Sequence, residues 1–247
     1  NLKVTAGLRL DVPFYGQTAE RNIAAESLNF QKPDGEPITI RTDRLPDPQF
    51  MWSPRLGFNW DVMGDRNFQV RGGTGLFSGR PIYINISNMV NTNGVLQGQI
   101  REDNTTNFPF NPDVNAYIPS NGGAPDSYDL AYIDPGFRNP QVWRSNIGID
   151  KDLFGGLVAT FEAIYTKQVS DLLFYDSNLR PSTRNLAGPD DRPLYGFSDE
   201  ANRLNQNITN AVVLDNTNEG YSYSLTFQLQ KNFNNGLHAM AAYNYAV

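Results

Sequence analysis

The sequence predicts an all-β protein: an antiparallel transmembrane β-barrel segment with long extracellular loops. Three observations lead there. Apolar residues recur at every second position over runs near the 9–11 residues with which a tilted strand crosses a bilayer. Short polar turns alternate strictly with very long connections. Aromatic residues gather at the ends of the runs, where interfacial belts sit.

The first run, residues 2–12, sets Leu2, Val4, Ala6, Leu8, Leu10 and Val12 against Lys3, Thr5, Gly7, Arg9 and Asp11. The second, 52–62, sets Trp52, Pro54, Leu56, Phe58, Trp60 and Val62 against Ser53, Arg55, Gly57, Asn59 and Asp61. After the turn "MGDRN" the alternation resumes through Phe68, Val70, Gly72, Thr74 and Leu76. Residues 143–149 place Trp143, Ser145, Ile147 and Ile149 opposite Arg144, Asn146 and Gly148. Residues 157–167 place Leu157, Ala159, Phe161, Ala163 and Tyr165 opposite Thr160, Glu162 and Thr166, with Val158 and Ile164 breaking the rule. The clearest run, 221–230, sets Tyr221, Tyr223, Leu225, Phe227 and Leu229 against Ser222, Ser224, Thr226, Gln228 and Gln230. Residues 237–245 end the series with Leu237, Ala239, Ala241, Tyr243 and Tyr245. Helical periodicity is scarce; the best stretch is 198–208, with Ser198 and Glu200 as start signals.

The turns "MGDRN", "KDLFGG" and "KNFNNG" are short, whereas the connections 13–50, 78–140 and 169–218 are long and rich in Pro, Gly, Asn and Asp. Connections beyond about 12–15 residues are uncommon in compact soluble domains. Three on one side match the short periplasmic turns and long extracellular loops of outer-membrane barrels. A soluble β-sandwich alternates as well, with its apolar face turned to a core; strand length, aromatic ends and loop asymmetry weigh against it. Seven strands is an odd number, and bacterial single-chain barrels use even counts from 8 upward. The expectation is therefore that residues 1–247 are a partial barrel domain, with the remaining strands outside this sequence.

Composition narrows the function. A net charge of −6 and a pI near 4.8 argue against a nucleic-acid partner. With no cysteine and a single histidine, His238, thiol chemistry and multi-histidine metal sites are excluded, and a catalytic triad lacks an evident partner set. The sequence reads as a non-enzyme. No run of about 20 apolar residues is present, and the mean hydropathy of −0.48 suits a barrel whose apolar residues hide in a period of two. "NLKVTAGLRLDV" reads as a strand rather than a leader.

One face is thus expected to meet outer-membrane lipid, with Trp52, Trp60, Trp143, Tyr165, Tyr221, Tyr223, Tyr243 and Tyr245 at its interfaces. The other bears Lys3, Arg9, Arg55, Asn59, Arg71, Arg144 and Glu162 toward a polar lumen. No cofactor is implied. Oxygen-rich stretches at 101–107, 188–193 and 214–220 have ligand types for Ca²⁺, but they match no calcium-loop spacing and serve equally as turn formers. "GRPIYINISN", 79–88, opens the longest loop and reads either as an extension of the hairpin or as a ligand contact.

The block "SPRLGFNWDVMGDRNFQVRGGTGLFSGRP", 53–81, resembles the barrel of TonB-dependent outer-membrane receptors, closest to the Oar-like branch of Bacteroidota and related bacteria. "PGFRNPQVWRSNIGIDKDLFGGLVATFEAIYTK", 135–167, is similar to a strand and hairpin of the same family. The resemblance implies a 22-stranded barrel in the bacterial outer membrane, filled by an N-terminal plug. It implies uptake of a nutrient or other bulky solute, energised through TonB. The sequence shows neither plug nor TonB-contacting box. A surface lipoprotein over the loops is a further candidate partner, and the lumen set would brace a plug or bind an anionic solute. The alternatives are a non-transporting surface or adhesion module binding a glycan or protein, and an outer-membrane scaffold or export component.

Overall fold

The computed structural model describes residues 1–16, 20–96, 105–118, 127–196 and 198–247. In chain order its strands are β1 (Leu2–Asp11), β2 (Phe30–Gln31), β3 (Pro37–Ile38), β4 (Met51–Asp61), β5 (Phe68–Ser78), β6 (Tyr128–Ile133), β7 (Gln141–Asp152), β8 (Leu157–Asp176), β9 (Arg184–Asn185), β10 (Pro193–Leu194), β11 (Ile208–Thr217), β12 (Tyr221–Asn232) and β13 (His238–Ala246). Three helices interrupt them: α1 (Ile23–Glu26), α2 (Tyr83–Asn91) and α3 (Asp199–Asn202).

Seven strands form an antiparallel meander in the order β1-β4-β5-β7-β8-β12-β13. All seven strands expected from the alternation are present in that order. Among the described residues the sheet is open: β1 pairs only with β4, and β13 only with β12. Its short turns follow from local chemistry. Asp61 accepts hydrogen bonds from the backbone N–H groups of Gly64 and Arg66, which closes the β4–β5 turn. Gly155 and Gly156, at φ +65° and +74°, take the left-handed conformations that the β7–β8 turn needs.

Directly paired residues share a face, so register sorts the side chains. One transverse row reads Leu2, Trp60, Val70, Ile149, Phe161, Phe227, Tyr243. A second reads Val4, Phe58, Gly72, Ile147, Ala163, Leu225, Tyr245. The row between them, on the opposite face, is Lys3, Asn59, Arg71, Gly148, Glu162, Thr226, Asn244. In these rows apolar and polar residues alternate across all seven strands, and the register shift of the β7–β8 ladder, between Gln141 and Val142, lies beyond them. The apolar face is not covered by protein: Ile147 is 44% exposed and Phe227 48%. The rows also climb. Trp60 stands beside the turn end of β4, whereas Tyr243 lies well into β13 from its turn end at His238. Such stagger is what tilts strands in a barrel wall.

Above the wall the long connections fold into a cap. The strands extend further than the alternation suggests: β8 runs 20 residues, pairing through Leu157–Lys167 with β12 and through Asp171–Asp176 with β11. β11 and β12 follow one another along the same edge of β8, broken at 218–220. β6 adds a parallel ladder to β11, the one departure from an antiparallel sheet among the named ladders. On one face of β6–β11, Leu130, Ile208 and Ala211 pack with Ala25, Phe30 and Ile40. On the other, Ala131, Ile133 and Leu214 pack with Ile86, Met89 and Phe137. Among the described residues, the connections 13–50, 78–140 and 169–218 thus supply two packed cores, whereas 106–118 and 183–196 stay exposed.

Two local expectations change. The 198–208 stretch forms only α3, with Ser198 accepting from the Ala201 N–H; Ile208 belongs to a strand. Residues 79–88 contain the start of α2, because Ile86 and Met89, three apart on one helix face, are both buried in the second core.

Candidate functional site

The polar face is the candidate lumen surface, and its side chains are braced by one another. Arg71 extends across Gly148 to ion-pair with Asp150, which also accepts a hydrogen bond from Thr160 at 2.7 Å. Glycine at 148 is what permits this crossing, since a Cβ there would lie 2.9 Å from Cζ of Arg71. Arg144 donates to Thr166 at 3.2 Å, and the Arg55 guanidinium lies 4.5 Å from the Phe77 ring centroid. Arg9 forks onto one oxygen of Asp11 at 2.8 and 3.0 Å. Register brings Lys3, Asn59, Arg71 and Glu162 into one row and Arg55 and Arg144 into another. Lys3 and Glu162 have no ion-pair partner among the described residues. The alternation places Thr160 on this face but does not mark it, Asp150 or Phe77 as bracing groups; their signal is an alternation phase shared with Arg71 and Arg55.

Each aromatic residue expected at the lipid interface lies in a wall strand on the apolar face. Trp52, Trp60, Trp143, Tyr165, Tyr221, Tyr243 and Tyr245 are exposed and Tyr223 is partly so. The Trp143 indole N–H reaches Thr74 and Ser145 hydroxyls at 2.8 and 3.0 Å. It thus pairs its one donor while its ring stays outside.

In the cap, asparagines satisfy buried backbone. Asn178, fully buried, donates to the Asn205 and Ile208 carbonyls and accepts from the Asn205 N–H. Asn22 caps α1 by accepting from the Ala25 N–H and donates to the Asn93 carbonyl. Burial pushes the Tyr132 hydroxyl up to about 12, so it stays protonated within the first core's margin. The oxygen-rich stretches serve turns where they are described: Asp190 pairs with Arg192, Asp191 accepts from Asn185, and Asp215 accepts from the Asn216 N–H. Residues 101–104 lie outside the described residues. Among the described residues no three acidic or histidine side chains group to hold a cation. His238 opens β13 opposite Asn232.

A charge chain ties the first long connection together. Arg21 forks onto Glu26 at 2.6 and 2.8 Å, and Arg41 reaches both Glu26 and Asp43. Hydrogen bonding from Arg21 holds the Glu26 carboxyl below its ordinary value of 4.5, and Arg41 does the same for Asp43 below 3.8. Folded-state values below unfolded ones mean that this contribution is complete above the ordinary values. It is lost as the pH falls through the lower, folded ones. Cap peptides around 21–43 are expected to lose hydrogen-exchange protection below about pH 4, after correction for intrinsic rates, while wall strands keep theirs.

A family model described as an outer membrane beta barrel domain matches residues 1–247. No curated protein sequence matches. Among solved structures, the chain is similar to the FrpB iron transporter of Neisseria meningitidis (F5-1 variant) at 12% identity and a TM-score of 0.45. That match covers 99% of this chain and 24% of that one. The outer membrane transporter YddB of Escherichia coli matches at 10% identity and a TM-score of 0.43, over 81% of this chain and 20% of that one. A double mutant of the Serratia marcescens hemophore receptor HasR, in complex with its hemophore HasA and heme, matches at 13% and 0.40. There the coverage is 100% of this chain and 29% of the receptor. The chain thus spans roughly a quarter of the length of these proteins.

Proposed function

Because the chain belongs to the outer membrane β-barrel domain family, we propose that residues 1–247 are one arc of the wall, with its outer cap, of a TonB-dependent receptor for a bulky solute. The protein resides in the bacterial outer membrane. The observation that carries the reading is the register: seven strands keep one face apolar and exposed, and the other polar and cross-braced. In hydrocarbon every unpaired backbone group costs several kcal/mol. The free edges of β1 and β13 therefore pair with further strands, and a 22-stranded barrel is the proposed whole. The polar face, with Lys3, Arg9, Arg55, Asn59, Arg71, Arg144 and Glu162, meets a plug, and the interface aromatics hold the wall at its depth. The cap gathers solute above the lumen, and transport proceeds by binding and gating without bond breaking.

A second reading has its own support. The cap has two cores of its own, so it offers a fixed surface that binds a glycan or a protein with no solute passing.

The test uses the full-length protein in detergent and the immobilised periplasmic domain of TonB. Retention supports the receptor. Outer-membrane location with no retention supports the surface module, and a soluble monomer defeats both.

A further inference from the structure

Where the outer ends of β1, β4 and β5 meet the start of α2, a cleft of about 400 Å³ opens on the polar side of the sheet. That volume lies within the range of small-molecule sites. We propose that this cleft binds a saccharide; the inference rests on the outer cap being the ligand-facing side of the receptor proposed above.

The chemistry on its walls is mixed in a way that few ligands match. Phe14 and Tyr83, 74% and 67% exposed, present aromatic surface to the cleft. Arg80 is exposed and has no partner among the described residues, so its guanidinium is a free set of donors. Asp11 is anchored through one oxygen by Arg9, while its second oxygen is buried without a donor. A buried, unpaired carboxylate oxygen is costly. Asp11 lines the cleft with its side chain 31% exposed, and the oxygen that Arg9 holds keeps lone-pair capacity for a donor there. Asn139, 2% exposed, is already spent: it donates to the Tyr15 hydroxyl at 3.0 Å and accepts from the Ile82 N–H, which fixes the rim.

The occupant must therefore donate to Asp11, accept from Arg80, and offer an apolar face to Phe14 and Tyr83. A simple anion satisfies Arg80 but brings no proton to Asp11 and no face to Phe14 and Tyr83. A purely apolar ligand leaves Arg80 dry and unpaired. A sugar ring has hydroxyls that donate and accept, and a C–H face that lies flat on an aromatic ring. It answers all three demands at once.

The full-length protein, held in a non-glycosidic detergent, is passed over an immobilised panel of neutral and uronate-bearing oligosaccharides. Retention on at least one member is expected. Arg80→Ala and Tyr83→Ala are each expected to weaken it by about tenfold or more, the scale of one charged hydrogen bond or stacking contact. Both residues are exposed in the cap, so heat-modifiable gel migration should stay that of the native barrel. Retention on no member, or retention that neither substitution changes, overturns the proposal. Capture by the TonB domain is unaffected by either substitution. Loss of that capture in the native protein refutes the receptor reading separately from the cleft.

Discussion

Ile147→Arg is expected to destabilise the wall by about 2–4 kcal/mol, the measured scale for a cation on the lipid face of a barrel near the bilayer midplane. Ile147 is 44% exposed and sits in the apolar row between Gly72 and Ala163. Protein offers it no cover, so the charge would face hydrocarbon. The matched control is Thr226→Arg, one row away on the polar face beside Glu162, where the guanidinium gains a carboxylate neighbour. The measurement is the urea midpoint of the full-length barrel refolded into lipid vesicles. A lowered midpoint for Ile147→Arg with little change for Thr226→Arg supports the two faces as assigned. Equal losses would refute the assignment of the two faces, and a larger loss for Thr226→Arg would reverse it.

Phe30→Ala addresses the cap. Phe30 is 2% exposed and packs in the cluster of Leu130, Ile208 and Ile40. Truncating a buried phenylalanine costs about 3–5 kcal/mol in transfer and cavity terms. That is a large share of what a cap of this size could hold. Hydrogen-exchange protection should disappear from 128–133 and 208–214 while β4, β5 and β7 stay protected, since none of those three strands supplies a side chain to that core. Uniform loss across cap and wall would mean that the two unfold as one unit.

The wall was legible in the sequence because each wall strand has two different solvents. Lipid on one side and polar surroundings on the other write a period of two into residues such as Leu225, Thr226, Phe227 and Gln228. The same rhythm places Arg71 and Glu162 on one face. Pairing was not legible. Only register shows that Arg71 lies opposite Gly148 and meets Asp150, because the match between strands far apart in sequence is fixed by turn geometry and ladder.

The cap was hidden for the opposite reason. "LAYI" at 130–133 and "AVVL" at 211–214 are covered on both faces, so they read as continuous apolar runs without alternation. In α2, β-branched residues that favour strands were overridden by burial of Ile86 and Met89. By itself, the sequence determined which residues share the apolar face, since that depends on each residue's own period. The tertiary structure alone decided which polar groups meet and how the long connections close, since those contacts join residues that no local pattern links.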